Sequence, residues 1–142
     1  MSRIRHTGIY VKDLEAMISF YKDLLGLHTA VRQRETGSYT DTLFNAEGVD
    51  IEVCKLSFEE GAMLELIRYK GETSGPDLAG SLHGCGTMHI AVTVDNAWEM
   101  HEKLKGKGCK TLSQPCISPD GRACVFFARD PEGNWLELVE EL

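Results

Sequence analysis

The sequence predicts an α+β protein made of two βαβββ modules whose strands form a curved, cup-shaped mixed sheet. Three observations carry that expectation. Each half of the chain opens on a stretch of alternating apolar residues, which is strand periodicity, and a stretch of helical periodicity follows it. The two halves also match one another. HTGIYVKDLEAM from His6 lies over HIAVTVDNAWEM from His89, with Ile9 on Val92, Val11 on Val94 and Met17 on Met100. Each half closes on a strand bearing Leu-Glu-Leu, residues 64–66 and 136–138. Two copies of one unit are the economical account, because neither alone buries its sheet face well. The expected division is residues 1–69, a linker at 70–86, and residues 87–142, which together form one domain.

Taken in order, residues 3–11 alternate as a strand, with Ile9 and Val11 on one face and Ile4, His6, Gly8 and Tyr10 on the other. Asp13 is placed to cap a helix in which Leu14, Met17, Ile18, Tyr21, Leu24 and Leu25 recur at helical spacing, and Gly26 stops it. Strands are expected at 28–35, 40–46, 50–56 and 62–69, separated by Gly37, Glu47-Gly48 and Glu59-Glu60-Gly61. Residues 70–86 are glycine-rich and lack periodicity, as a linker or lid would. A strand at 87–94 follows. Asn96 with Glu99 then starts a second helix carrying Ala97, Met100 and Leu104, which ends at Gly106-Lys107-Gly108. Strands near 110–114, 122–129 and 134–140 complete the second half. The last two flank Asp130-Pro131-Glu132-Gly133, where proline pre-sets φ and glycine accepts a positive one.

Composition narrows the function classes. The chain has 142 residues, 42% of them hydrophobic and 26% charged, as expected for a globular domain. A formal net charge of -7 argues against nucleic-acid and anionic-membrane partners and leaves small molecules. No apolar run approaches the roughly 20 residues of a membrane span, nor does the N-terminus resemble a secretory signal. Cys54, Cys85, Cys109, Cys116 and Cys124 form an odd set without a CxxC pair, which suits free thiols in a reducing compartment. A cytoplasmic protein is the expectation. Lateral strand edges in two modules further suggest a homodimer.

The chemistry is carried by a histidine on the first strand of each module and a glutamate on the last: His6, Glu65, His89 and Glu137. Taken singly, each has an ordinary structural explanation, since strand histidines are of intermediate burial and glutamates mostly face water. The same two residue types at corresponding places in two repeats are harder to explain that way. Strand parity puts all four opposite Ile9, Val11, Leu64, Leu66, Ile90, Val92, Leu136 and Leu138, the aliphatics expected under the helices. Two imidazoles and two carboxylates facing a concavity suit a divalent metal ion, Zn, Ni, Co, Mn or Fe, with positions left for water or substrate. Glu137, between Trp135 and Val139, is the candidate catalytic base. His28, His83 and His101 lack such partners and are assigned to surface or loop.

These stretches resemble the vicinal oxygen chelate superfamily, which includes glyoxalase I, methylmalonyl-CoA epimerase, extradiol dioxygenases, fosfomycin-resistance enzymes and bleomycin-binding proteins. HTGIYVKDLEAMISFYKDLLGL is similar to the family's opening strand and helix, and MHIAVTVDNAWEM with FARDPEGNWLELVE to its second module. The order His, Glu, His, Glu is most similar to glyoxalase I. That resemblance implies metal ligation by His6, Glu65, His89 and Glu137, with Glu137 as base and Glu65 serving the opposite proton face. The implied activity is a metal-dependent lyase or isomerase acting on a small α-oxygenated carbonyl compound through an enediolate. An epimerase or dioxygenase on the same metal, or a non-catalytic small-ligand binding or resistance protein, are the alternatives. Glyoxalases similar to this chain carry an arginine four residues after the first histidine, which holds a glutathione carboxylate. Tyr10 stands there instead and argues against glutathione as co-substrate. Arg68 and Arg122 are candidate replacements, although parity puts Arg68 on the face opposite Glu65.

Overall fold

The structure, a computed structural model, describes residues 2–71, 82 and 84–142. His83 and most of the expected linker lie outside those residues. The chain divides into two compact units, Met1–Ser74 and Gly75–Leu142.

The first unit runs β1 Thr7–Tyr10, α1 Leu14–Leu25, β2 His28–Thr36, α2 Ser38–Phe44, β3 Asp50–Ser57 and β4 Met63–Tyr69. Its four strands lie in the order β1-β4-β3-β2, with β1 parallel to β4 and the other pairs antiparallel. Helix α1 starts and stops where the sequence indicates. The Asp13 side chain accepts the Ala16 N–H at 3.0 Å, and Gly26 takes the left-handed conformation (φ 68°) that lets its N–H reach the Lys22 carbonyl. Leu14, Met17, Ile18, Tyr21 and Leu24 are buried on α1, which packs on β3 and β4.

The second unit runs β5 His89–Thr93, α3 Ala97–Gly106, β6 Cys116–Ile117, β7 Ala123–Arg129 and β8 Trp135–Glu141. The strand order is β5-β8-β7-β6, again with the first strand parallel to the last. Asn96 accepts the Glu99 N–H at 2.8 Å, and the Glu140 carboxylate of β8 takes the neighbouring Ala97 N–H at 2.8 Å, so this helix start is tied to its own sheet. Both units are thus four-stranded mixed sheets with a helix on one face, an α+β architecture.

The structure corrects three expectations. Residues 40–46, expected as a strand, fall mostly within helix α2. Thr40 and Phe44 are one helical turn apart and turn inward together, Thr40 buried and Phe44 against Val49, Ile51, Val53 and Ile67, while Asn45 closes the helix in the left-handed conformation. The expected strand at 110–114 is a single bridge, Thr111 to Ala128, and the edge strand β6 forms later, at Cys116. His101, assigned to surface or loop, is buried on the inner face of α3, with its ring edge-on to Phe126 at 5.2 Å and its Nδ1 3.1 Å from the Glu102 carboxylate.

The β7–β8 turn is held by Asp130, which is only 4% exposed. One of its carboxylate oxygens accepts the N–H groups of Glu132 and Asn134, each at 2.9 Å, and the other accepts Asn134 Nδ2 at 2.8 Å. Gly133, at φ 91°, donates to the Asp130 carbonyl. Replacing Asp130 by Ala leaves these donors unmatched in a half-buried turn, and bonds to a charged acceptor contribute more than neutral ones. Asp130→Ala should therefore lower unfolding stability by on the order of 3 kcal/mol in urea titration at neutral pH.

Candidate functional site

The pairing of first strand with last builds the site in each unit. In the first unit Gly8 of β1 lies opposite Glu65 of β4, and Lys55 of β3 flanks Glu65 from the other side. Partners across a ladder point to the same face, and His6, two residues before Gly8, points with them. His6 Nε2 comes 2.9 Å from Glu65 Oε2, while Lys55 Nζ is 3.2 Å from Oε1 of the same carboxylate. All three side chains are largely covered, Glu65 to 12% exposure and Lys55 to 18%. A largely buried carboxylate between the Lys55 ammonium and the His6 imidazole satisfies the rule that buried charge is paired and hydrogen-bonded. His6 Nδ1, however, is buried without any hydrogen-bond partner. A Cβ at Gly8 would sit 3.9 Å from Glu65 Oε2, an ordinary contact, so glycine is not demanded there by space.

The second unit repeats the plan with different walls. Ala91 of β5 lies opposite Glu137 of β8, and Phe127 of β7 occupies the flanking position that Lys55 holds in the first unit. His89 Nε2 is 3.1 Å from Glu137 Oε2, and the Phe127 ring meets the His89 ring edge-on at 5.5 Å. Trp135 and Arg129 share this face, the guanidinium lying 4.2 Å above the indole. In both units the opposite face carries the aliphatic set and the helix. Ile9, Val11, Leu64, Leu66, Val92, Leu136 and Leu138 are all buried there, and Ile90 is half-buried.

The structure therefore joins His6 to Glu65 and His89 to Glu137. Among the described residues no third His, Cys, Asp or Glu joins either pair within its unit. The donor set can be tested against a divalent cation. Two ligand atoms at roughly 2.1 Å from one ion and at right angles to each other are about 3.0 Å apart. The observed pairs, at 2.9 and 3.1 Å, match that edge. The same separation also suits a charge-assisted hydrogen bond, and the unpartnered Nδ1 of His6 is the ring nitrogen that does not face Glu65.

Three further placements bear on the site. Arg68 lies on the helix-bearing face, against Glu52 at 3.6 Å, where parity put it. Tyr10 stands on the His6 face and stacks on Tyr69 at 5.8 Å. Lys55 was not singled out by sequence reasoning, although its register opposite Glu65 follows once β3 and β4 are paired across the Glu59-Glu60-Gly61 turn. Burial pushes the thiols of Cys54, Cys109 and Cys124 above the ordinary thiol range, which keeps them protonated and unreactive.

With this geometry in place, comparison with known proteins identifies the family. Residues 3–138 match the model of the Glyoxalase/Bleomycin resistance protein/Dioxygenase superfamily, and the chain belongs to it. The chain is 32% identical over 140 residues to a lactoylglutathione lyase of Escherichia coli O157:H7, covering 98% of this chain and 93% of that one. It is also 32% identical to a probable lactoylglutathione lyase of Synechocystis sp., covering 95% and 92%. In structure it is similar to a glyoxalase family protein from Bacillus cereus, with a TM-score of 0.91 at 22% identity over 100% of this chain and 95% of the other. No helix among the described residues is long and apolar enough to cross a membrane.

Lys55 and Glu65 yield a test that needs no ligand. Losing one member of a largely buried ion pair leaves the other uncompensated, whereas replacing both by apolar groups removes the penalty. Lys55→Met should destabilise the protein by about 2 kcal/mol, and adding Glu65→Leu should recover part of that loss, as read by chemical unfolding of the single and double variants.

Proposed function

We propose that the protein is a metal-dependent lyase or isomerase that moves a proton on a small α-oxygenated carbonyl compound. One observation carries the proposal: two His–Glu pairs at the same register positions of two repeated sheets, with almost equal separations. His6 and Glu65 with His89 and Glu137, from the modules of one chain or of two copies, would hold one divalent cation. Family membership and the named lactoylglutathione lyases among its relatives support this class of activity. When bound, such a cation polarises the substrate carbonyl and so acidifies the adjacent C–H.

The protein's own groups divide the remaining work. Both oxygens of Glu65 are engaged, one by His6 and one by Lys55. Glu137 meets His89 through one oxygen, and Phe127 and Trp135 lie beside it on the same face of the sheet. Glu137 is therefore assigned as the base that takes the α-proton from carbon and delivers it to the neighbouring carbon. Trp135 and Phe127 supply the apolar walls.

Metal analysis after saturation with zinc or nickel should find one ion per set of four ligands, and His89→Ala should lower occupancy sharply. Full stoichiometric metal in a His6→Ala, His89→Ala double variant would end the assignment. In a screen of 2-oxoaldehydes and their thiol adducts run in deuterium oxide, turnover should incorporate solvent deuterium at carbon without oxygen uptake. Glu137→Gln should keep much of the metal yet slow proton transfer by roughly 10² to 10⁴, the usual contribution of a positioned general base. Near-normal exchange in that metal-loaded variant would move the role to Glu65.

A further inference from the structure

On the face of the first sheet that carries His6 and Glu65, three aromatic rings meet farther along the same two strands. Tyr10 of β1 stacks on Tyr69 of β4 with ring centres 5.8 Å apart and planes 15° apart, and Phe44 of α2 meets Tyr69 edge-on, also at 5.8 Å. Phe44 and Tyr69 rest on the buried cluster Val49, Ile51, Val53 and Ile67, which fixes the base of the stack. Burial and the neighbouring Tyr10 push the Tyr69 hydroxyl above its usual pKa, as befits a ring sunk in an apolar setting. Tyr10 is the outermost ring and remains 56% exposed. A large aromatic surface is thus held rigidly from behind and left open in front.

Distance and charge indicate what this surface would take. Tyr10 ends β1 and follows His6, the residue just before that strand, by four residues, an extended span of about 13 Å. A molecule with its oxygen-bearing head at the His6–Glu65 pair therefore reaches Tyr10 with a tail of about 10 Å. Among the described strand residues on this face of the unit, the cation is Lys55, and Glu65 already engages it. Arg68 and Lys70 are drawn to Glu52 on the opposite face, at 3.6 and 3.3 Å. Among the described strand residues of this face an anionic tail would find no cation other than the engaged Lys55, whereas a flat uncharged tail finds a ring to stack on.

We infer that Tyr10, backed by Tyr69 and Phe44, forms a shelf that binds an uncharged aromatic or planar apolar tail of a substrate whose head occupies the His6–Glu65 pair. The inference rests on the metal-dependent reading for the position of the head, and it deepens that reading by naming the substrate class. The shelf selects neutral aryl-tailed α-oxygenated carbonyl compounds over those with acidic tails.

Acetohydroxamate, 4-phenylbutanohydroxamate and glutarate monohydroxamate share a two-oxygen head and differ in the tail. Each is titrated by calorimetry into zinc-loaded protein. The phenyl tail should tighten binding about tenfold over acetohydroxamate, the scale of one aromatic contact plus the area it covers. The carboxylate tail should give no gain. The phenyl gain should vanish in Tyr10→Ala and persist in Tyr10→Phe. A gain retained in Tyr10→Ala, or a carboxylate tail that binds more tightly than the phenyl one, overturns the shelf. If none of the three heads binds, the metal reading fails, and the shelf is then judged without metal. Saturation transfer to the ring protons of 4-phenylbutanamide, which has no chelating head, should be clear in the native protein and Tyr10→Phe and several-fold weaker in Tyr10→Ala. Absence of transfer to the native protein, or equal transfer in Tyr10→Ala, overturns the shelf independently of the metal.

Discussion

The site depends on one constraint, the parallel pairing of each module's first strand with its last. That pairing sets Gly8 against Glu65 and Ala91 against Glu137, and the two-residue period of a strand then brings His6 and His89 to the same face as the glutamates. A slip of one residue would turn each histidine away from its glutamate. Leucines prevent the slip, because Leu64, Leu66, Leu136 and Leu138, which bracket the two glutamates, are at most 2% exposed under the helices. Burying four such side chains contributes roughly 6 to 12 kcal/mol, as much as a whole domain's net stability. The apolar face thus holds the polar face in register, and the chemistry is positioned by residues that never touch it.

This explains which parts were legible in the sequence. The repeat, both helix starts, the Gly26 stop and the Asp130-Pro131-Glu132-Gly133 turn rest on local rules that act within a few residues, and the structure follows them. The two His–Glu pairs were legible because parity and the repeat supply nonlocal information that a single strand lacks. Helix α2 was not legible. Its threonines and aromatics have strand propensity, and what decides its state is the seat that Val49, Ile51, Val53 and Ile67 provide for Phe44. Such tertiary support overrides propensity in a seven-residue segment too short to be stable alone. His101 was missed for a related reason. Its burial reflects the aromatic edge contact with Phe126 across the α3–β7 interface, which no spacing rule within the helix reveals.

The repeat also shows where the two modules have stopped being equivalent. Lys55 and Phe127 hold the same place relative to their glutamates, yet one is an ammonium and the other a ring. Helix α2 with its aromatic cluster stands between the second and third strands of the first unit, whereas the corresponding connection of the second unit, between β6 and β7, is a five-residue turn. The first unit therefore combines a pinned carboxylate with an aromatic surface. The second combines a less encumbered carboxylate with apolar walls.

That inequivalence bears on mechanism more directly than the shared His–Glu pattern does. A symmetrical site would offer two interchangeable carboxylates and no reason for a proton to arrive at one face of a planar intermediate. Here Glu65 is committed through both oxygens, at 2.9 Å to His6 and 3.2 Å to Lys55, and moving it would break two contacts in a largely buried setting. Glu137 is committed through one oxygen, at 3.1 Å to His89, and is twice as exposed, 25% against 12%. A carboxylate that must approach and leave a carbon atom needs such freedom, whereas one that must hold a cation in place gains from being fixed. On the metal-dependent reading we propose, the pattern common to both modules would serve to hold an ion, and the differences between them would decide which carboxylate moves the proton.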